Sequence, residues 1–308
     1  MIRCQIDMRW LVPTALVLLL WPALARAQDD MDRLRPKYWS SPAAGGSASG
    51  DPEILFTFDD GPDALRTPKI LDVLAEHDVK AVFFMVGHHL RGKRNREVMP
   101  PIVRRLLAEG HTAGNHTVEH VHLCGIPQAE GDREMDENAR LIREATGVAD
   151  VKFFRAPYGD RCIRLENMLA VRRLKHLHWD IDPREWMTQD PEETAGHIID
   201  RIRVLPEGAR AVVLLHDTQH HTVDALPRIL EWIREENRAR RARGIRPVRI
   251  IGPADIARDR LAADLLPLVD DTLAGMRGLF PDLAGRLLLP LAGGEPPATA
   301  RTARPRRP

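Results

Sequence analysis

From residue 53 onward the chain alternates short apolar runs with longer amphipathic stretches. The apolar runs are 53–58 (EILFTF), 80–86 (KAVFFMV), 111–114 (HTAG), 151–154 (VKFF), 176–180 (HLHWD), 210–215 (RAVVLL) and 247–251 (PVRII). Their length and their β-branched and aromatic content predict buried strands. The intervening stretches 67–77, 97–109, 132–146, 164–174, 192–203 and 222–240 predict helices, and Gly110 and Gly147 stand just past two of them, where helices stop. Strand alternating with helix implies parallel strands joined by right-handed crossovers. Polar residues able to do chemistry gather at strand ends, at 58–60, 115–116, 155–158, 180–186 and 216. Convergence from successive strand ends is the habit of a (β/α) barrel, whereas an open sheet concentrates its site at one switch point. The expected fold class is therefore α/β, a barrel of about seven parallel strands.

The flanks read differently. Arg3 and Arg9 precede an apolar run at 10–24 (WLVPTALVLLLWPAL), and Ala25-Arg26-Ala27 follows. The run is short for a bilayer span and is bracketed by Pro13 and Pro22, so residues 1–27 are expected to be a signal peptide and Gln28 the first mature residue. The expected location is periplasmic or secreted, with no stable membrane anchor after cleavage. Residues 28–50, ending SSPAAGGSASG, predict a flexible linker to a folded domain at 51–254. Residues 255–292 predict a helical extension, and 293–308 a disordered basic tail. The chain has 308 residues, 44% hydrophobic and 29% charged, with a net charge of +1. That balance builds a core and gives no general attraction to nucleic acid. Cys4 leaves with the signal. Cys124 and Cys162 remain, and in an oxidising compartment they either form one disulfide or stand as two buried thiols.

Two strings carry the chemistry. TFDDGP at 57–62 supplies the adjacent carboxylates Asp59 and Asp60, and HTVEH at 116–120 supplies His116 and His120. Carboxylate and imidazole together suit a divalent metal, and a second carboxylate is then available for proton transfer. On a helical turn the two histidines, four apart, share a face. HTVEH also fits the inverted metalloprotease pattern H-x-x-E-H, with Glu119 as base. That reading needs a well-formed helix, but Gly114-Asn115 precede the string and Gly125 and Pro127 follow it, and it leaves TFDDGP without a role.

TFDDGP, GNHTVEH, RAPYGD at 155–160, WDIDPREW at 179–186 and VVLLHD at 212–217 occur in that order. In these five strings the chain resembles the polysaccharide deacetylase family (carbohydrate esterase family four, the NodB homology domain) over residues 53–252. The resemblance implies a distorted (β/α) barrel. It implies that Asp60, His116 and His120 hold one divalent metal, Zn²⁺ in the first instance, with Co²⁺, Ni²⁺ or Fe²⁺ also suited to such donors. It further implies Asp59 as general base, Arg155 as the cation that pairs with it, the Tyr158 backbone N–H as an oxyanion donor, and His216 as general acid. Trp186, Leu214 and Pro157 are implied substrate contacts. The family's D-x-x-D-W string reads Asp182-Pro183-Arg184-Glu185-Trp186 here, so a glutamate, one methylene longer, stands where an aspartate usually orients the acid histidine. The implied function is that of an exported metal-dependent hydrolase of linear amides. It would remove N-acetyl groups from an N-acetylhexosamine polymer such as peptidoglycan, a chitin-like glycan or an exopolysaccharide. The same residues would serve an acetyl esterase on xylan or a non-sugar amidase. An inactive carbohydrate-binding protein would have no use for Asp59 and His216. The implied partner is a carbohydrate polymer, not nucleic acid.

Overall fold

The computed structural model describes residues 47, 49–147 and 151–256. The expected signal peptide, nearly all of the linker, the extension beyond residue 256 and the basic tail lie outside the described residues.

Among the described residues seven strands form: β1 (Glu53–Asp59), β2 (Val82–Met85), β3 (Thr112–Asn115), β4 (Phe153–Phe154), β5 (Lys175–His176), β6 (Arg210–His216) and β7 (Arg249–Ile250). All pairings are parallel, in the order β5-β4-β3-β2-β1-β6, and β7 also pairs with β1. Along one edge β1 pairs with β7 through Glu53 and Ile54 and with β2 from Thr57 to Asp59. The segment after β5 crosses to β6 through an isolated Ile181–Val213 bridge, which brings the far end of the sheet back toward β6. The result is a strongly curled, barrel-like sheet, as expected.

The helices are α1 (Thr67–Glu76), α2 (Lys93–Ala108), α3 (Gln128–Thr146), α4 (Ile163–Val171), α5 (Glu185–Thr188), α6 (Pro191–Arg203) and α7 (His220–Ala242). Among the described residues, 3₁₀ turns lie at Gly87–Leu90 and Pro157–Gly159. Side chains alternate across each strand. Ile54, Phe56 and Phe58 of β1 join Phe83, Met85, Val213 and Leu215 in the layer shared with Ile70, Leu71, Leu74, Leu226 and Ile229 of α1 and α7. Thr57 and Asp59 take the other face of β1 and meet Arg155. One strand thus contributes to the helix-facing core and to the interior of the curl.

The entry end of β1 is tied by charge. Glu53 is fully buried. Arg210 Nε donates to its Oε2 at 2.6 Å, and Arg249 Nε donates to Oε1 at 3.0 Å. Burial raises the Glu53 carboxyl, but the hydrogen bonds from Arg249, Ser47 and Arg210 outweigh it and leave its pKa lowered. That part of the stability is present above the ordinary carboxylate range and is lost as pH falls through the depressed value. The opposite end of β1 carries Asp59 and runs into the turn Asp60-Gly61. Gly61 is obligatory there, because a Cβ would overlap the carboxylate of Asp217, itself buried just past the end of β6.

Candidate active site

Strand ends deliver the predicted residues to one place. Asp59 closes β1, His116 follows β3, Arg155 follows β4 and His216 closes β6. A cavity of about 430 Å³ is lined by Asp59, Asp60, His116, His120, Tyr158 and His216, with Ala156, Trp179, Asp182, Trp186 and Leu214 completing the wall. Pro157, expected as a substrate contact, is buried and does not line it. Ala156 and Trp179 do, and neither was singled out from the sequence.

The expected ligand atoms converge. Asp60 Oδ1 lies 3.4 Å from His116 Nε2 and 3.3 Å from His120 Nε2. Donors held about 2.1 Å from one tetrahedral ion sit about 3.4 Å apart, so the three atoms are spaced as ligands of a single cation. Asp60 Oδ1 is buried and without a hydrogen-bond partner, the state of an oxygen reserved for a cation. His116 Nδ1 lies 2.8 Å from the Arg155 carbonyl, which can only accept, so Nδ1 carries the proton and Nε2 presents its lone pair. Burial, with the neighbouring His116, lowers the pKa of His120 and favours the neutral ring a metal requires. For Asp60, burial acts upward, but the imidazoles of His116, His216 and His120 outweigh it and hold the carboxyl well below its usual range.

The HTVEH segment is not a helical turn. It is a loop in which Thr117 (φ 65°) and His120 (φ 53°) adopt left-handed backbone. These conformations are costly for non-glycine residues and need external support. Asn115 Oδ1 accepts from Thr117 N at 2.9 Å. Glu134, on α3, accepts from Val118 N at 2.8 Å and Glu119 N at 2.9 Å through one oxygen. Without a helix, Glu119 has no metalloprotease role, and it pairs with Arg91 instead. Replacing Glu134 by alanine should weaken metal retention by about 10- to 100-fold, as losing an outer-shell support typically does. Chelator competition measures this, and wild-type affinity in Glu134→Ala would show that the loop holds itself.

Arg155 is fully buried. Its Nη1 donates to Asp59 Oδ1 at 2.7 Å and to Thr57 Oγ1 at 2.8 Å, its Nε to the Leu177 carbonyl at 2.8 Å, and its Nη2 to the His178 carbonyl at 3.1 Å. Phe84 lies under the guanidinium at 4.3 Å. Asp59 Oδ1 is thereby fixed, and Oδ2, 3.7 Å from His116 Nε2, is left toward the cavity.

His216 faces Asp59 and Asp60 from β6. Its Nε2 is 4.0 Å from Asp60 Oδ2 and its Nδ1 is 2.9 Å from Glu185 Oε1. The same Glu185 oxygen accepts from His216 N at 2.7 Å and from Thr222 Oγ1 at 3.2 Å. The glutamate, one methylene longer than the usual aspartate, therefore still reaches His216. Burial alone would lower the His216 pKa, but the hydrogen bond and charge of Glu185, with Asp60 and Asp59 behind them, push it up to about 9.

The rim is braced covalently. Cys124 and Cys162 form a disulfide with Cα atoms 6.1 Å apart. Beside it, Asp160 Oδ2 accepts from Cys124 N at 3.0 Å. Tyr158, at φ 58°, stands 61% exposed at the mouth and stacks on His122 at 3.9 Å. Trp186 is half exposed on the same cavity wall. From the 38-residue separation, opening the bridge should cost about 4 kcal/mol of unfolding free energy on the chain-entropy account. Denaturant melts of oxidised and reduced protein measure it, and coincident curves would contradict the bracing role.

Residues 46–175 match the family model described as polysaccharide deacetylase. A chitooligosaccharide deacetylase of Sinorhizobium fredii is 35% identical over 171 residues, covering 56% of this chain and 74% of the relative. A peptidoglycan-N-acetylglucosamine deacetylase of Bacillus cereus is 33% identical over 189 residues, covering 59% of this chain and 63% of the relative. Among solved structures, a family 4 carbohydrate esterase from Streptomyces lividans in complex with acetate aligns with a TM-score of 0.52 at 28% identity, covering 60% of this chain and 89% of that one.

Proposed function

Because the chain belongs to the polysaccharide deacetylase family, we propose that it is an exported, metal-dependent N-deacetylase of a glycan built from N-acetylhexosamines. The observation that carries this reading is a fixed base and a fixed acid flanking one ligand triad: Asp59 clamped by Arg155, and His216 clamped by Glu185. Metal binding alone would require neither clamp. Chitooligosaccharides and peptidoglycan are the substrates named for the relatives, and they define the first class to test. The Cys124–Cys162 bridge supports export, since such bridges persist in oxidising compartments.

The chemistry follows from the positions. Asp60, His116 and His120 would hold the cation, which when bound supplies Lewis acidity to the acetyl carbonyl and to water. Zn²⁺ suits this set of one oxygen and two nitrogens. Asp59 Oδ2 takes a proton from the attacking water as its oxygen bonds to the acetyl carbon. The Tyr158 N–H donates to the carbonyl oxygen as negative charge gathers there, a contribution of about 3 kcal/mol for a donor of this kind. The C–N bond then breaks, and His216 Nε2 gives its proton to the departing nitrogen. The products are acetate and a free amine. Leu214, buried at the cavity wall, offers an apolar contact for the acetyl methyl, and the exposed faces of Tyr158 and Trp186 offer stacking surfaces for sugar rings.

Acetate release from chitooligosaccharides, peptidoglycan, an N-acetylglucosamine exopolysaccharide and acetylxylan, each with added Zn²⁺ and with chelator, tests the reading. Chelator-sensitive release from an amide-linked glycan is expected. Release from acetylxylan alone would make the enzyme an esterase, and no release by metal-loaded protein would overturn the reading.

A further inference from the structure

Outside the cavity, α4 and the segment beginning with β5 bring a second set of nitrogen and oxygen donors together. Glu166 Oε1 lies 2.8 Å from His176 Nδ1, and His178 Nε2 lies 3.3 Å from the same nitrogen. One donor atom from each residue falls within 4.8 Å of the others. His176 and His178 are two apart on extended chain and so share a face. The His176 side chain is 93% buried, being 7% exposed, while Glu166 is 44% exposed and opens the cluster to solvent.

Protons alone satisfy this cluster poorly. The Glu166 carboxylate needs a proton on His176 Nδ1. Arg161 Nε, 3.3 Å from His178 Nδ1, can only donate, and so directs the proton of a neutral His178 to Nε2, toward that same His176 nitrogen. Either two N–H groups then face each other, or the carboxylate faces a lone pair. His176 Nε2 is buried without a hydrogen-bond partner, so the ring's polar anchorage is at Nδ1 alone. A cation removes the conflict. It accepts the carboxylate oxygen and both ring nitrogens as donors, with the His178 proton moved to Nδ1 and the long Arg161 contact released.

We propose that Glu166, His176 and His178 form a second divalent-cation site, separate from Asp60, His116 and His120 and selective for the Zn²⁺, Co²⁺ and Ni²⁺ class. Two imidazoles and one carboxylate are the donors of that class, whereas Ca²⁺ and Mg²⁺ demand oxygen. The site is structural and lies behind the catalytic arginine, because the carbonyls of Leu177 and His178 accept from Arg155 Nε and Nη2. A cation gripping side chains at 176 and 178 stiffens the backbone that holds Arg155. Only this last consequence rests on the deacetylase reading. Cation binding itself does not.

The test is metal stoichiometry on the full chain, dialysed against Zn²⁺ and measured by elemental analysis. The native chain should carry two equivalents. His116→Ala/His120→Ala should retain one, and adding His176→Ala/His178→Ala to that background should remove it. Because the buried histidines also pack, Glu166→Gln at the exposed edge is made in parallel, with folding checked by circular dichroism. It should weaken the residual Zn²⁺ binding at least several-fold and bleach the visible band of bound Co²⁺. If His116→Ala/His120→Ala binds no metal, or if folded Glu166→Gln binds the residual Zn²⁺ as before, the second site does not exist. Neither readout uses deacetylation, so either result leaves the assigned activity untouched.

Discussion

Asp59→Asn should lower kcat by about 10³-fold, the usual worth of a positioned general base, and leave the metal content of the purified protein unchanged. Asparagine keeps an oxygen for Arg155 Nη1, now 2.7 Å from Asp59 Oδ1. It loses the ability of Oδ2 to take a proton. The ligand atoms on Asp60, His116 and His120 are untouched, so chemistry and metal retention separate in a single variant. A second effect accompanies the first. Arg155 is fully buried, and neutralising its partner leaves an uncompensated cation, which costs about 3–5 kcal/mol where it has been measured. Activity is therefore compared at a temperature well below the variant's own melting point. Near-normal turnover by folded, metal-loaded Asp59→Asn would overturn the base assignment.

The second large effect concerns the acid. His216→Ala should reduce kcat by about 10²- to 10⁴-fold, because nothing then protonates the departing nitrogen. Glu185→Gln is the more diagnostic change. His216 must be protonated to act, so the alkaline limb of the activity profile reports its pKa, pushed up to about 9 in the protein. Burial opposes that elevation, and the Glu185 hydrogen bond and charge are the chief forces behind it. Asp60 also contributes, but a cation bound there would cancel its share, which leaves Glu185 as the main support that persists, with Asp59 behind it. The amide introduced by Glu185→Gln would keep a hydrogen bond and lose the charge, so the alkaline limb should move down by about 1–3 pH units while KM changes little. Stability moves in the same sense. A histidine raised in the folded state stabilises fully below its unfolded value of 6.5, and that contribution is lost as pH rises through about 9. Glu185→Gln should therefore destabilise most below neutrality. A pH profile superimposable on that of the native chain would remove Glu185 from the mechanism.

The strands of the described residues were legible as short apolar runs, and even the two-residue β4 sits inside VKFF, but β5 (Lys175–His176) overlaps the expected run 176–180 only at His176 because its first residue is a lysine. Helix starts were less so. α2 begins at Lys93, earlier than its periodicity suggests, because its first turn, KRNR, is entirely polar. α3 begins at Gln128, directly after Pro127, for a similar reason. The four-residue α5 is too short to show any period, yet it sets Glu185 beneath His216. Nothing in Thr117 or His120 announces left-handed backbone. That geometry is imposed by Asn115 and Glu134, the latter more than a dozen residues away, so it was not legible in the string HTVEH. Most of the residues gathered at the cavity were readable because they come in ordered strings at strand ends. Their supports were not, since Glu134, Thr222 and the carbonyls of Leu177 and His178 meet them only in three dimensions.

Strand β1 joins two kinds of work. Its first residue, Glu53, is locked by Arg210 and Arg249, and its last, Asp59, is the residue proposed above to move the proton. Six residue steps place these ends about 20 Å apart, where two unit charges interact by under about 1 kcal/mol at an effective dielectric of about 20. Charge changes at one end therefore barely reach the other. In the proposed mechanism, how long the folded molecule survives and how fast it turns over are set by separate groups on one continuous piece of backbone. A variant library aimed at the Glu53 end can be screened for endurance alone, with catalytic competence carried through as a nearly constant background.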